Sequence, residues 1–175
     1  MFRHTALSFL ACAAIATGAN AADFTPPNLV AVTPRIVTSG QPTVKALEAL
    51  KENGFEAVVF LVPSDISGVI AEEADIVKKR GLEYVHIPIK FGNPTAQHYD
   101  EFASTMARFA TRKVLVHCEI NLRASSMVFL YRTIALKEDP QTAYESVAKV
   151  WSPRGAWKPF IQEMLRKNNI AFEPY

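Results

Sequence analysis

The sequence predicts an α/β domain with a central, mostly parallel sheet flanked by helices. Three observations predict it. Glu56–Val62 is a continuous apolar run of the kind that is buried on both faces of a sheet. Helical segments of about 10–15 residues alternate with strand candidates, the pattern of parallel strands joined by crossover helices. Gly54 and Gly81 stop two of those helices just ahead of the next strand.

Taken in order, Met1 to Ala21 reads as a secretory signal. Arg3 and His4 give a basic start, Thr5 to Gly18 is almost wholly apolar or small, and Ala19-Asn20-Ala21 fits a small-x-small cleavage site. The apolar stretch is shorter than the roughly 20 residues a membrane span needs. Cys12 lies too early for a lipoprotein signal, and Phe9 stands at the usual leucine position. The expectation is cleavage after Ala21 and export, to a bacterial periplasm, of one domain spanning residues 22–175.

Residues 22–28 form an extended lead-in to strand candidates Leu29–Val32 and Arg35–Thr38. Ser39-Gly40-Gln41-Pro42 is a turn, and Thr43 caps a helix to about Asn53. After the strand Glu56–Val62 comes the loop Pro63–Gly68, then a helix over Val69–Arg80. Tyr84–Ile89 is the next strand, Phe91–Pro94 a loop, and Thr95 the cap of a helix to about Ala110. Lys113–Val116 is another apolar strand. Helices are expected over Ala124–Leu136, from Pro140 to about Val150, and over Ala156–Lys167. Ligands of such sheets bind beyond the carboxyl ends of the strands, which brings loops 62–68, 90–95 and 118–124 together.

Without residues 1–21, 154 of the 175 residues remain, enough for one real core. Arg3 leaves with the signal, so 18 Lys+Arg face 17 Asp+Glu. That balance, with no basic run and no basic-aromatic interleaving, argues against nucleic acid as a partner. No second apolar stretch is long enough to cross a membrane. The histidines and the remaining cysteine lack ligand spacing, so no metal or other cofactor is implied.

Cys118 carries the chemical signal. With Cys12 in the signal it has no intramolecular disulfide partner, although exported proteins commonly use cysteines in pairs. It ends an apolar strand within Val114-Leu115-Val116-His117-Cys118-Glu119-Ile120-Asn121-Leu122-Arg123-Ala124-Ser125, where a short polar loop opens into an apolar helix. A thiolate or an oxyanion is stabilised by backbone N–H groups at a helix start and by an adjacent guanidinium. A buried core thiol is the competing reading.

These residues resemble the cysteine-dependent phosphatases of the dual-specificity, tyrosine-phosphatase-like type, in particular small bacterial members. The resemblance covers roughly residues 29–167. It also rests on Thr38-Ser39-Gly40-Gln41-Pro42-Thr43, on Gly54-Phe55-Glu56-Ala57-Val58-Val59-Phe60-Leu61 and on Tyr84-Val85-His86-Ile87-Pro88-Ile89. It implies a phosphatase fold and hydrolysis of a phosphate monoester, on a small molecule or a phosphoprotein such as one bearing phosphotyrosine, through a cysteinyl-phosphate. Cys118 would attack phosphorus, and His117 would orient the loop and favour the thiolate. The N–H groups of Glu119, Ile120, Asn121, Leu122, Arg123 and Ala124, with the Arg123 guanidinium, would hold the phosphate. Ser125 would assist the sulfur as it leaves.

Two departures stand out. The family pattern places its arginine sixth after the cysteine, whereas Arg123 is fifth and Ala124 occupies the sixth place. The aspartate that protonates the leaving oxygen falls at Phe91. Asp65, Asp100, Glu101 and Glu119 are the candidate substitutes, with Asp65 best placed by the strand-end rule and an ordinary turn residue as its competing reading. Glu119 is expected to face solvent. Asn121 stands where a glycine is usual, a mild change because Asn tolerates the left-handed backbone. Cys-x-x-x-x-Arg is also similar to the loop of rhodanese sulfurtransferases, which carry a persulfide and need no general acid. Sulfur transfer through a Cys118 persulfide, and a catalytically impaired phosphate- or phosphoprotein-binding module, therefore stay open.

Other candidates have plainer readings. His86 is expected to be a satisfied core residue, His98 solvated, and Arg132 a surface charge. Trp151, Arg154 and Trp157 could line the mouth of the site, or the tryptophans could pin the C-terminal helices to the sheet.

Overall fold

The computed structural model describes residues 24–175; the expected signal peptide and its cleavage site lie outside the described residues. Five strands form one sheet: β1 (Val30–Ala31), β2 (Ile36–Ser39), β3 (Ala57–Phe60), β4 (Glu83–His86) and β5 (Val114–His117), in the order β1-β2-β5-β3-β4. β2, β5, β3 and β4 run parallel, and β1 closes one edge antiparallel to β2. The central strands β3 and β5 are buried along their whole length, which is why they read as unbroken apolar runs.

Helices α1 (Val44–Glu48) and α2 (Glu73–Lys79), with the turn after α1, cover one face, packing Leu47, Leu50 and Val77 against Val37, Val58 and Leu115. The opposite face carries α3 (Ala96–Arg108), α4 (Leu122–Leu130), α5 (Pro140–Ala148) and α6 (Trp157–Lys167). Each fully buried Val, Leu, Ile or Phe contributes about 1.5–3 kcal/mol, so this second, larger cluster dominates the core.

The capping residues behave as their chemistry requires. Thr43 accepts from the Ala46 amide and Asp139 from the Thr142 amide, with Pro140 in the first turn of α5. Thr95 exchanges hydrogen bonds with His98, whose ring takes the place of the usual Glu or Gln in the box. His98 is thus a capping residue rather than a merely solvated one.

The strands lie within one to three residues of expectation, β4 ending at His86 rather than Ile89, while three helices differ more, each for a local reason. α1 ends at Glu48, and residues 49–53 continue as turns to Gly54, which has φ +77°. α2 begins at Glu73 rather than Val69, because Val69 and Ile70 pack against the core from an irregular segment. α4 begins at Leu122, two residues early, on a left-handed Asn121, and runs into a π-helical turn over Tyr131–Ala135. That turn corrects the expectation for Arg132. It is only 6% exposed, pairs with Glu138 at 2.6 Å and donates to Ala143 O at 3.1 Å. The wider turn carries its side chain inward, towards α5.

Candidate active site

The parallel strands end level with one another. Ser39 of β2 and Phe60 of β3 both stand opposite His117 of β5, so Cys118 opens its loop between two neighbours at the carboxyl edge. The Cys118 amide donates to Ser39 O (3.2 Å), and Cys118 itself is fully buried. The loop then reverses at Asn121, with φ 74° and ψ 0°, and the first helical bond runs from the Ser125 amide to Asn121 O at 3.0 Å. A helix start leaves its first amides without helical partners and with partial positive charge. The first amides of α4 thus lie a few residues beyond Cys118, just past the carboxyl end of β5.

Four hydrogen bonds hold this loop. The Asn121 amide group donates to Asn28 O (2.6 Å) and to the Thr38 hydroxyl (3.1 Å), while Asn28 Nδ2 donates to Ile120 O (3.0 Å). On the other side the Gln41 amide donates to Glu119 O (3.0 Å). Gly40 is required there, since a Cβ would sit 2.9 Å from Glu119 O and 3.1 Å from Pro27 O.

Arg123 rises from the first turn of α4 and is 4% exposed. Its Nε donates to Ile89 O at 3.0 Å, one Nη lies 3.8 Å from Glu119 Oε2, and its guanidinium faces the Phe91 ring at 5.1 Å from the centroid. Phe91 in turn packs against Trp151 and Trp157, each at 6.1 Å, and Trp157 Nε1 donates to Phe91 O at 2.9 Å. Trp157 therefore does pin α6, but it pins it to the segment that covers the arginine. Trp151 Nε1 is buried with no hydrogen-bond partner beside this cluster. Arg154 is exposed.

The remaining expected residues divide. His117 is completely buried, with Nε2 2.7 Å from Glu73 Oε1. Ser125 Oγ donates back to Leu122 O at 3.2 Å, so its hydroxyl closes the helical turn in this state. Asp65 lies on the exposed turn of the 63–68 loop, and Asp100 and Glu101 are exposed on α3. Glu119 is 56% exposed, as expected, but leans towards Arg123. His86 is held on Val62 O at 2.6 Å, stacked on Phe60, in keeping with a satisfied core residue.

Glu73, Gln41, Tyr84 and Asn28 were not legible as site residues. Glu73 stands with Glu72 and Asp75 inside the helix expected over Val69–Arg80, where acidic side chains usually face solvent. It is instead 1% exposed and hydrogen-bonded to Gln41 Nε2 (2.7 Å) as well as His117. Tyr84 lies beside Glu73, and its ionisation is pushed far up, by burial first and then by the Glu73 charge.

A cavity of about 180 Å³ opens between Gln41, the 62–69 loop and Glu119, at the carboxyl ends of the strands. This joins the 62–68 loop to the cysteine loop, while Phe91 brings in the 90–95 loop. A larger cavity of about 400 Å³ lies at the other end of the sheet, by Arg35, Val114 and Tyr131, away from Cys118. Among the described residues no cluster of His, Cys, Asp and Glu could hold a metal ion, and no helix is long and apolar enough to cross a membrane.

Solved structures share this architecture. A Shewanella putrefaciens protein of the DUF442 group, assigned to the phosphatases, is 25% identical with a TM-score of 0.75, covering 82% of this chain and 94% of its own. Tk-PTP in its active form is 23% identical with a TM-score of 0.65, covering 81% and 95%. The catalytic core of the PP-IP phosphatase SIW14 from S. cerevisiae is 15% identical with a TM-score of 0.64, covering 86% and 99%. No curated protein matches. The family described as DSP-PTPase phosphatase fused to NAD+ kinase matches residues 29–158, which is most of the chain, and on this ground the chain belongs to the dual-specificity-type phosphatases of that family.

Proposed function

We propose that the protein hydrolyses phosphate monoesters through a cysteinyl-phosphate on Cys118. The Cys118 thiolate attacks phosphorus, the ester oxygen leaves, and water then cleaves the S–P bond to give inorganic phosphate. The amides of Glu119 to Ala124 and the free part of the Arg123 fork hold the non-bridging oxygens as charge develops. The observation that supports this reading most is the left-handed Asn121, which turns the chain from the end of β5, beside Cys118, into the start of α4. With Phe91 at the acid's place and Asp65 on an exposed turn, the leaving oxygen takes its proton from solvent, so good leaving groups are favoured. The substrate is a phosphorylated small molecule or phosphoprotein.

The test is release of phosphate from an aryl phosphate by reduced protein and by Cys118→Ser. Turnover that survives the substitution overturns the covalent route. Two observations favour a second reading: Arg123 Nε is engaged by Ile89 O, and Phe91 rather than a carboxylate stands at the acid's place. Both suit a persulfide on Cys118, which thiosulfate with a thiol acceptor would reveal. Phosphate binding without either turnover would mark a binding module.

From the N-terminal sequence pattern we also propose that residues 1–21 are a signal peptide and residues 22–175 one exported domain, acting in a periplasm. The mass and N-terminus of the protein recovered from that compartment test it, with Ala22 as the expected first residue.

A further inference from the structure

Glu73 takes no part in the steps above, yet its burial demands an explanation. An ionised carboxylate in an apolar interior is costly unless donors satisfy it. Two donors converge on Glu73, Gln41 Nε2 at 2.7 Å and His117 Nε2 at 2.7 Å, with Tyr84 beside them. They come from the turn after β2, from β5 and from β4, while Glu73 itself begins α2.

The consequences fall on the cysteine loop. A carboxylate only accepts, so Nε2 of His117 carries a hydrogen. The ring is fixed further by stacking on Phe60, with centroids 4.8 Å apart, while its Nδ1 is buried without a partner. The next residue along the chain is Cys118. Gln41, on the other oxygen of Glu73, holds Glu119 O with its backbone amide. One carboxylate is thus tied to the residues on both sides of the nucleophile.

We propose that Glu73 is a positioning residue for Cys118: its buried carboxylate locks His117 as an Nε2–H donor and, through Gln41, holds the cysteine loop against the end of β2. The assignment of its effect on turnover rests on the phosphatase reading; the assignment of the imidazole does not.

The test combines two measurements on the whole protein. In ¹⁵N imidazole spectra of the wild type, His117 carries its proton on Nε2, and this signature is lost in Glu73→Ala. A wild-type His117 that is neutral with its proton on Nδ1 overturns the proposal, with no variant needed. In aryl phosphate kinetics, Glu73→Gln offers one acceptor where two donors converge. It lowers kcat by about 10–100-fold, as loss of a partner that orients an active-site ligand typically does, with KM within about twofold. Glu73→Asp keeps two acceptor oxygens and recovers part of kcat. A folded Glu73→Gln with wild-type kcat overturns the positioning role. If the wild type turns over no phosphate ester while the imidazole signature is present and Glu73-dependent, the phosphatase reading fails and the positioning assignment stands.

Discussion

The guanidinium of Arg123 lies against the ring of Phe91, 5.1 Å from its centroid, while its Nε is held by Ile89 O two residues before that ring. The segment that follows β4 therefore grips the arginine twice, once by a carbonyl and once by an aromatic face. An aspartate at position 91 would offer the arginine a carboxylate as well as a proton for the leaving group. The phenylalanine orients the fork without titrating.

Phe91 substitutions separate those two roles. Phe91→Leu removes the ring face, an interaction of about 0.5–2 kcal/mol, and is expected to raise KM for an aryl phosphate about two- to thirtyfold with little change in kcat. Phe91→Asp is expected to raise turnover of alkyl phosphates relative to aryl phosphates by about tenfold or more, since general acid catalysis is typically worth about 10²–10⁴-fold. The ratio of kcat/KM values for the two esters is the measurement.

Asn121 has to do two things, adopt φ 74° and bridge Asn28 O to the Thr38 hydroxyl. Asn121→Gly keeps the first and loses the second, so it is expected to remain folded with a loosened loop. Asn121→Ala loses both, adding about 1–2 kcal/mol for a Cβ in the left-handed region. Thermal unfolding should rank wild type above Asn121→Gly above Asn121→Ala, and turnover should follow the same order.

Much of this site was legible in sequence because its signals are local. The run from Val114 into the loop marks β5, Asn121 marks the reversal, and the apolar run that follows marks α4. The parallel order and the meeting of three loops at one edge followed from strand-helix alternation alone. What stayed hidden depends on contacts distant in the chain. Glu73 and His117 are 44 residues apart, and Asn28 and Asn121 are 93 apart. No periodicity distinguishes a buried first-turn glutamate from a solvated one. The inward turn of Arg132 was hidden for a different reason: a π-helical turn shifts the facing of side chains that helical spacing would place at the surface.

That arginine yields a stability prediction away from the site. Arg132 is bound by Glu138, by Ala143 O and, at 3.4 Å, by Ser146 Oγ. Removing one partner of a buried pair costs about 3–5 kcal/mol, and Glu138 is 33% exposed, so solvent offsets part of that. Glu138→Ala is expected to destabilise by about 1–3 kcal/mol in denaturant titration. The kcat and KM of the folded protein should be unchanged.

Alkaline stability follows from the buried tyrosines. Tyr99 is pushed up to about 12, by burial first, then by the charges of Asp100 and Tyr131. Burial likewise pushes Tyr144 up to about 12. In the unfolded chain these phenols ionise near about 10. Above that pH the folded state keeps protons that the unfolded state has released, so stability falls as pH rises. The contribution is complete below about pH 10 and is lost as pH climbs through about 12. Tyr99→Phe keeps the buried ring and removes the proton. Its Tm should stay close to wild type at neutral pH and decline less steeply than wild type across the alkaline range, as thermal unfolding at a series of pH values would register.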